Sequence, residues 1–403
     1  MPRRRLFQTA VFYLTAFFQG ICQITLPAAS VILKSARYNG LTDQQYGLTF
    51  LPLILMTILS TLYFPSLLHR FGRLKIFFAG ILFDLMYLSL AAAAGKMSSP
   101  GPSFAVLLAA NFFLGTGFGL VISVLNVLLS ELYPRHCDAA LSGLHGFLGA
   151  GCCASPLIVN AFHRTGHWSN MTGAVAAGLG IAACLAVLGN VFRGFPANRR
   201  DKHAGEVFGI PKATPLMIVL VLSSLFIYGI AESIVGNWAP VYLQQEKGLT
   251  LESGAVCLAL FWGFVTAGRL ATAVAAMRMN SRFFLRIAPA VLILGFILVM
   301  RIRGAGDVPL AFVVAGLGCS CVFPVAVSLG IRAHPQWRDA LSGFGVGALM
   351  GGVLVGSTFT GILRQLKVLS LHQVFGAGIL FSAVLFVLCW LISRDHEDLK
   401  LRA

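Results

Sequence analysis

The chain has 403 residues, of which 57% are hydrophobic and 11% charged, with a formal net charge of +16. A soluble domain carries about 25% charged residues, so this composition excludes a water-facing exterior and places the chain in a bilayer. The excess of Lys and Arg is no nucleic-acid footprint, because no basic cluster is interleaved with aromatic residues on a polar module.

A spanning helix takes about 20 mostly apolar residues, because every backbone N–H and C=O must find its partner inside the segment. The apolar runs predict twelve, at 8–33, 45–68, 74–95, 104–130, 139–162, 170–192, 214–243, 252–277, 283–300, 308–331, 339–363 and 372–393. The first carries Gln19 and Gln23, four residues apart and so on one helix face. The turn before the third carries Arg70, Gly72, Arg73 and Lys75. The third holds Asp84 about ten residues in, near the midplane at about 1.5 Å per residue. Asn126 lies on the fourth, and His145 follows near the start of the fifth, at similar depth. Between them runs Pro134-Arg135-His136-Cys137-Asp138-Ala139-Ala140-Leu141-Ser142-Gly143.

A polar stretch at 193–213, with Arg193, Arg199, Arg200, Asp201, Lys202 and Lys212, separates the sixth span from the seventh. The seventh holds Glu232, Asn237 and Trp238; the eighth holds Trp262 and Arg269. Ahead of the eleventh, Pro335-Gln336-Trp337-Arg338-Asp339-Ala340-Leu341-Ser342-Gly343 repeats the earlier string about 200 residues on. The expected fold is therefore an all-α membrane protein of twelve helices in two pseudo-symmetric six-helix bundles, residues 1–192 and 214–403, joined by the linker 193–213. Duplicated halves around a midplane site are the plan of a secondary transporter.

About two-thirds of the 30 Lys and Arg fall on one side of this topology, the side of both termini and the linker, which makes that side cytoplasmic. The same charge favours contact with anionic membrane lipid. No G-x-x-x-x-G-K-[ST], H-E-x-x-H or G-x-S-x-G string occurs, so neither ATP hydrolysis nor an enzyme is expected, and no cofactor. Cys319-x-Cys321 has no His or carboxylate company and makes no metal site. Asn170-Met171-Thr172 is a lone glycosylation sequon, and the compact loops read as bacterial, which points to the inner (plasma) membrane and a monomer.

Charged groups at bilayer depth cost roughly 2.5–3.5 kcal/mol each, which singles out Glu232, Asp84 and Arg269 as candidates for coupling or gating, beside Arg70 and Arg73 at the turn. A structural partner on a neighbouring span is expected for Asp84 and for Arg269. Asn126 and His145 have only Ala326 or Val327 and Gly345 at the repeat-related positions, so the first half alone offers polar groups there. Aromatic faces with a few amides suit the C–H surfaces and hydroxyls of a sugar, and Tyr228, Trp238, Tyr242, Phe261, Trp262 and Phe264 crowd spans seven and eight. Trp168 and Trp337, at loops, are expected as interface anchors. The glycines of spans four, five and eleven are expected to let helices approach closely.

Three strings then carry a resemblance: Tyr228-Gly229-Ile230-Ala231-Glu232 with Asn237-Trp238 and Tyr242; Phe261-Trp262-Gly263 with Gly268-Arg269; and Phe323-Pro324-x-x-x-Ser328-Leu329-Gly330-Ile331. Over nearly its whole length the chain resembles the major facilitator superfamily and, within it, the fucose–galactose–glucose:proton symporter branch. The resemblance implies alternating-access transport of a small polar solute, a sugar, with Asn126, His145, Gln19, Gln23, Asn237, Trp238 and Trp262 as substrate contacts and a proton as coupling ion. Drug or metabolite efflux and uncoupled sugar facilitation are the alternatives. Two departures weigh on coupling. The acids the branch places in spans one and four are absent, with Ile122 at the span-four position, and His69 replaces the Asp of the usual turn motif. Glu232 is then the expected proton carrier.

Overall fold

The computed structural model describes residues 2–193, 195 and 214–401. The chain divides into two compact units, Met1–Val207 and Phe208–Ala403. Apart from Arg193 and Phe195, the expected linker lies outside the described residues, as do the side chains of Asp138 and Asp339 in the repeated string. All regular structure among the described residues is helical.

The first unit comprises α1 (Pro2–Lys34), a short α2 (Asp43–Leu48), α3 (Phe50–Gly95), α4 (Pro100–Leu132), α5 (Cys137–Arg164) and α6 (Met171–Leu188). At 46 residues, α3 is too long for one crossing of a roughly 30 Å hydrocarbon layer. Gly72 divides it, with φ 76° and ψ 163°, a left-handed extended conformation that a residue without Cβ adopts freely. Among the described residues, eleven helical stretches are long and apolar enough to cross a membrane, and this division makes two of one of them, giving the twelve expected crossings. The core joins Phe12, Phe77, Val121, Val124, Leu125, Leu128 and Leu144 from four of these helices.

The second unit comprises α7 (Leu216–Gln245), α8 (Leu251–Ala275), α9 (Ser281–Arg301), α10 (Val308–Ser320), α11 (Val322–Ala333), α12 (Arg338–Leu354), a π-helical turn (Val355–Phe359), α13 (Thr360–Gln365) and α14 (Leu371–Leu401). The tenth expected span is thus broken at Cys321, and the eleventh is interrupted by the π turn.

Both units use the same helix contact. In the first, a Cβ on Gly20 of α1 would collide with the backbone at Leu148 and Cys152 of α5, and one on Gly151 of α5 with the backbone at Phe17 and Ile21 of α1. In the second, Gly229 of α7 faces the backbone at Leu349 and Val353 of α12, and Gly352 of α12 faces Phe226 and Ile230 of α7. Each pair lets two backbones touch, and its recurrence shows the duplication in atoms as well as in sequence. Gly151→Leu or Gly352→Leu should destabilise by about 1–3 kcal/mol through overpacking, whereas Gly180→Leu, at a position with nothing within 4 Å, should not. Thermal unfolding of the purified variants in detergent checks this; equal midpoints for all three would refute the close-contact account.

Trp168 and Trp337 correct an expectation. They are 0% and 2% exposed, so neither is an interface anchor. Trp168 packs at the end of α3, where Gly95 has no side chain to exclude it, and the large apolar area of an indole favours such a junction over the membrane surface.

Candidate functional site

In the second unit the polar cluster starts from a proline. Pro324 has no N–H and its ring crowds the carbonyl four residues earlier, so Ser320 O loses its helical partner and α10 ends there. Arg269 Nε from α8 donates to that freed oxygen at 3.2 Å. A cation at the C-terminal end of a helix is favoured by the helix dipole as well as by the hydrogen bond. This anchors the guanidinium, whose Nη2 then lies 3.4 Å from the Tyr228 hydroxyl and 3.7 Å from Glu232 Oε1. The Tyr228 hydroxyl is 2.5 Å from Glu232 Oε1 and 2.9 Å from Cys319 O. Its single proton therefore serves two acceptors. The expected carboxylate partner of Arg269 is Glu232, and Tyr228, one helical turn below Glu232, bridges them.

One to two turns further along α7, Asn237 Nδ2 donates to Ser357 Oγ at 2.6 Å and Trp238 Nε1 to Ser357 O at 3.1 Å. Ser357 belongs to the π turn, whose shifted register presents both of its oxygens to α7. Trp238 is fully buried and builds the wall of this junction. Tyr228, Tyr242 and Phe261 are fully buried too, and Tyr242 stacks on Phe375 with ring centroids 4.3 Å apart. Of the expected aromatic platform, Trp262 and Phe264 keep part of their surface open. Trp262 stands edge-on to Phe261 and lies against Gly236, and its indole N–H is buried without a hydrogen-bond acceptor. That donor is unsatisfied among the described residues, as are those of Trp168 and Trp337, but of the three rings only that of Trp262 keeps part of its surface open.

In the first unit Gln19 of α1 donates through Nε2 to Asp84 Oδ2 of α3, and both residues are fully buried. Asp84 thus has its structural partner, an amide rather than a cation or hydroxyl, and Gln19 is engaged in holding it. Asp84 Oδ1 packs against Gly117 of α4, and it, Gln19 Oε1 and Gln23 Nε2 are buried with no partner among the described residues. Asn126 is half-buried on α4 and His145 exposed on α5. At the Gly72 turn Arg73 pairs with Glu131 at the end of α4, 2.5 Å apart, and its guanidinium lies 5.8 Å from the Phe195 ring centroid. The carboxylate missing from the turn itself is thus supplied by α4. Arg70 is exposed, over the ring of Phe71 at 5.3 Å.

Two contributors escaped the sequence reading. The sequence marks Tyr228 for its ring alone, whereas its hydroxyl joins α7, α8 and α10. Ser357 gave no signal, because nothing in its neighbourhood announces a π turn. The break at Cys321 did have one: a proline three residues later.

A model of the Major Facilitator Superfamily matches residues 9–356. Among curated proteins, "Bypass of stop codon protein 6" of Saccharomyces cerevisiae is 27% identical over 284 residues, 62% of this chain and 56% of that protein. The chain therefore spans little more than half the length of that relative. Two solved structures share the fold. One is a bacterial homologue of the human lysosomal transporter Spinster in an inward-facing and occupied conformation, with TM-score 0.70 and 15% identity over 97% of this chain and 96% of that one. The other is the nucleoside transporter NupG, with TM-score 0.72 and 13% identity over 96% and 99%.

Proposed function

The chain belongs to the Major Facilitator Superfamily, and from that premise we propose that it is a secondary transporter of a small polar solute, a sugar, working by alternating access and driven by protons. One observation carries the choice of solute class: the indole N–H of Trp262, buried and without an acceptor, on a ring that stays partly open. A ring face for C–H surfaces plus a free donor is what a sugar hydroxyl requires. Within the first unit taken by itself, the half-buried Asn126, the exposed His145 and Gln23, whose Nε2 is buried without a partner among the described residues, are the proposed solute contacts. Asn237 contributes through the shape of the α7–π-turn junction, and Gln19 through its hold on Asp84.

The fucose–galactose–glucose branch is the proposed kinship, on the strings around Glu232, Trp262 and Pro324. The test is uptake of labelled sugars into proteoliposomes with and without a pH gradient. Gradient-dependent accumulation of a hexose supports the reading; uptake of nucleosides or of apolar drugs in place of sugars would overturn it.

The proposed location is a plasma membrane, the bacterial inner membrane on the compactness of the loops, with both termini and the linker in the cytoplasm. A membrane-impermeant thiol reagent applied outside should label a cysteine placed at Gly101 and miss one placed at Ala204. The opposite labelling pattern would invert the topology.

A further inference from the structure

The two arms of α3 and the facing side of α4 enclose a groove of about 540 Å³ that belongs to none of the clusters above. Met56, Leu59, Tyr63, Leu67 and Phe71 line it from the first arm at helical spacing, and Ala79 and Phe83 from the second, with Lys75 at the end beside the Gly72 turn. Leu59, Tyr63 and Phe71 are 43%, 62% and 45% exposed, so the groove is open on one side along its length.

Length and charge identify the occupant. From Phe71 to Met56 the groove runs fifteen residues, about 22 Å at about 1.5 Å per residue, which covers one leaflet of a roughly 30 Å hydrocarbon layer and its interface. At the turn end, Lys75 is exposed and Arg70 sits over Phe71, itself a lining residue. The carboxylate recorded at this turn, Glu131, is paired with Arg73. The mouth is therefore cationic and the body apolar, and by the charge count it opens on the cytoplasmic leaflet, where anionic lipid concentrates. A soluble solute would find no hydrogen-bonding group in the body of the groove except Ser60, Tyr63 and Thr116, and the hydroxyls of Ser60 and Thr116 already donate to their own helices.

We propose that this groove is a binding site for an anionic glycerophospholipid, one acyl chain lying between the arms of α3 and the phosphate held by Lys75 and Arg70. The lipid fills space between two arms that Gly72 alone connects, so it props the turn on which the Arg73–Glu131 pair depends. This role is independent of which solute the protein carries.

The test is native mass spectrometry of the full-length protein, released from detergent containing equal amounts of phosphatidylglycerol and phosphatidylcholine. One phosphatidylglycerol should be retained on the wild type in preference to phosphatidylcholine. Each surface cation contributes roughly fivefold to anionic-lipid binding, so Lys75→Ala should lower retention about fivefold and the Arg70→Ala, Lys75→Ala double variant about 25-fold. Ala79→Phe, which fills the groove and leaves the cations in place, should abolish retention of either lipid, and the monodisperse elution of each variant verifies that it is folded. Equal retention of both lipids by the wild type, or undiminished phosphatidylglycerol on Ala79→Phe, would overturn the proposal.

Discussion

Glu232→Gln is expected to abolish accumulation of solute against its gradient while leaving exchange of solute across the membrane intact. The reason is the proton count at Tyr228. Its hydroxyl has one hydrogen and two acceptors, Glu232 Oε1 and Cys319 O, while it accepts from Arg269. When Glu232 is ionised, it draws that hydrogen and the Arg269 guanidinium; when Glu232 carries its own proton, Tyr228 is free to donate to Cys319 O alone. The two states differ in how tightly α7 and α8 are tied to the end of α10, so one proton changes the contact among three helices. Glutamine fixes the neutral pattern. Its size is that of glutamic acid and its amide N–H can donate to the Tyr228 oxygen as the protonated carboxyl does, which keeps the Tyr228 contact and is why exchange should survive.

A pH difference of one unit is worth about 1.4 kcal/mol and sustains at most about tenfold accumulation for one proton per solute. In Glu232→Gln proteoliposomes that ratio should fall to one at every pH difference. A variant that still concentrates solute would remove Glu232 from the coupling step. If the wild type itself never concentrates solute under a pH or sodium gradient, the protein is a facilitator, and the acids missing from spans one and four are the reason. Glu232→Ala is a different experiment. It leaves the Arg269 charge beside an empty space and withdraws an acceptor from Tyr228, so loss of folded protein is expected along with loss of transport.

The helices were legible because a bilayer imposes one rule on every residue of a span, and hydropathy reports that rule directly. Boundaries came within a few residues: 214–243 expected against Leu216–Gln245, and 283–300 against Ser281–Arg301. Polar partners were legible only as classes. Arg269 asked for a carboxylate and has Glu232, but Asp84 asked for a cation or hydroxyl and has the amide of Gln19, a residue assigned beforehand to substrate. Hydropathy says that a buried acid needs a partner; it does not say which helix turns toward it. Aromatics failed for a related reason. Trp238 and Trp262, both candidate substrate contacts, look alike in sequence, yet Trp238 is fully buried with its N–H on Ser357 O, whereas Trp262 lies against Gly236 and keeps part of its surface open. The break at Cys321 was written in Pro324, but its consequence lies on another helix, where Arg269 takes the carbonyl that the proline leaves free.

Asn126→Ala and His145→Ala are each expected to weaken solute binding by roughly 5- to 150-fold without unfolding the protein, the equivalent of about 1–3 kcal/mol for one lost partner of a buried hydrogen bond. Their surroundings explain why folding should be spared. Asn126 is half-buried and His145 exposed, so truncation opens no cavity in the core of the first unit. Gln19→Ala makes the contrast, since it strips the hydrogen bond from a fully buried Asp84 and should lower the unfolding midpoint before binding is reached. Isothermal titration with the best solute from the uptake screen, run beside a thermal scan of each variant, separates the two effects. Weakened binding with an unchanged midpoint places the solute against α4 and α5. If both alanine variants bind as the wild type does while Trp262→Phe, which keeps the ring surface but removes the unpartnered N–H, loses affinity, then the solute is held from the second unit and the polar asymmetry between the halves has another cause.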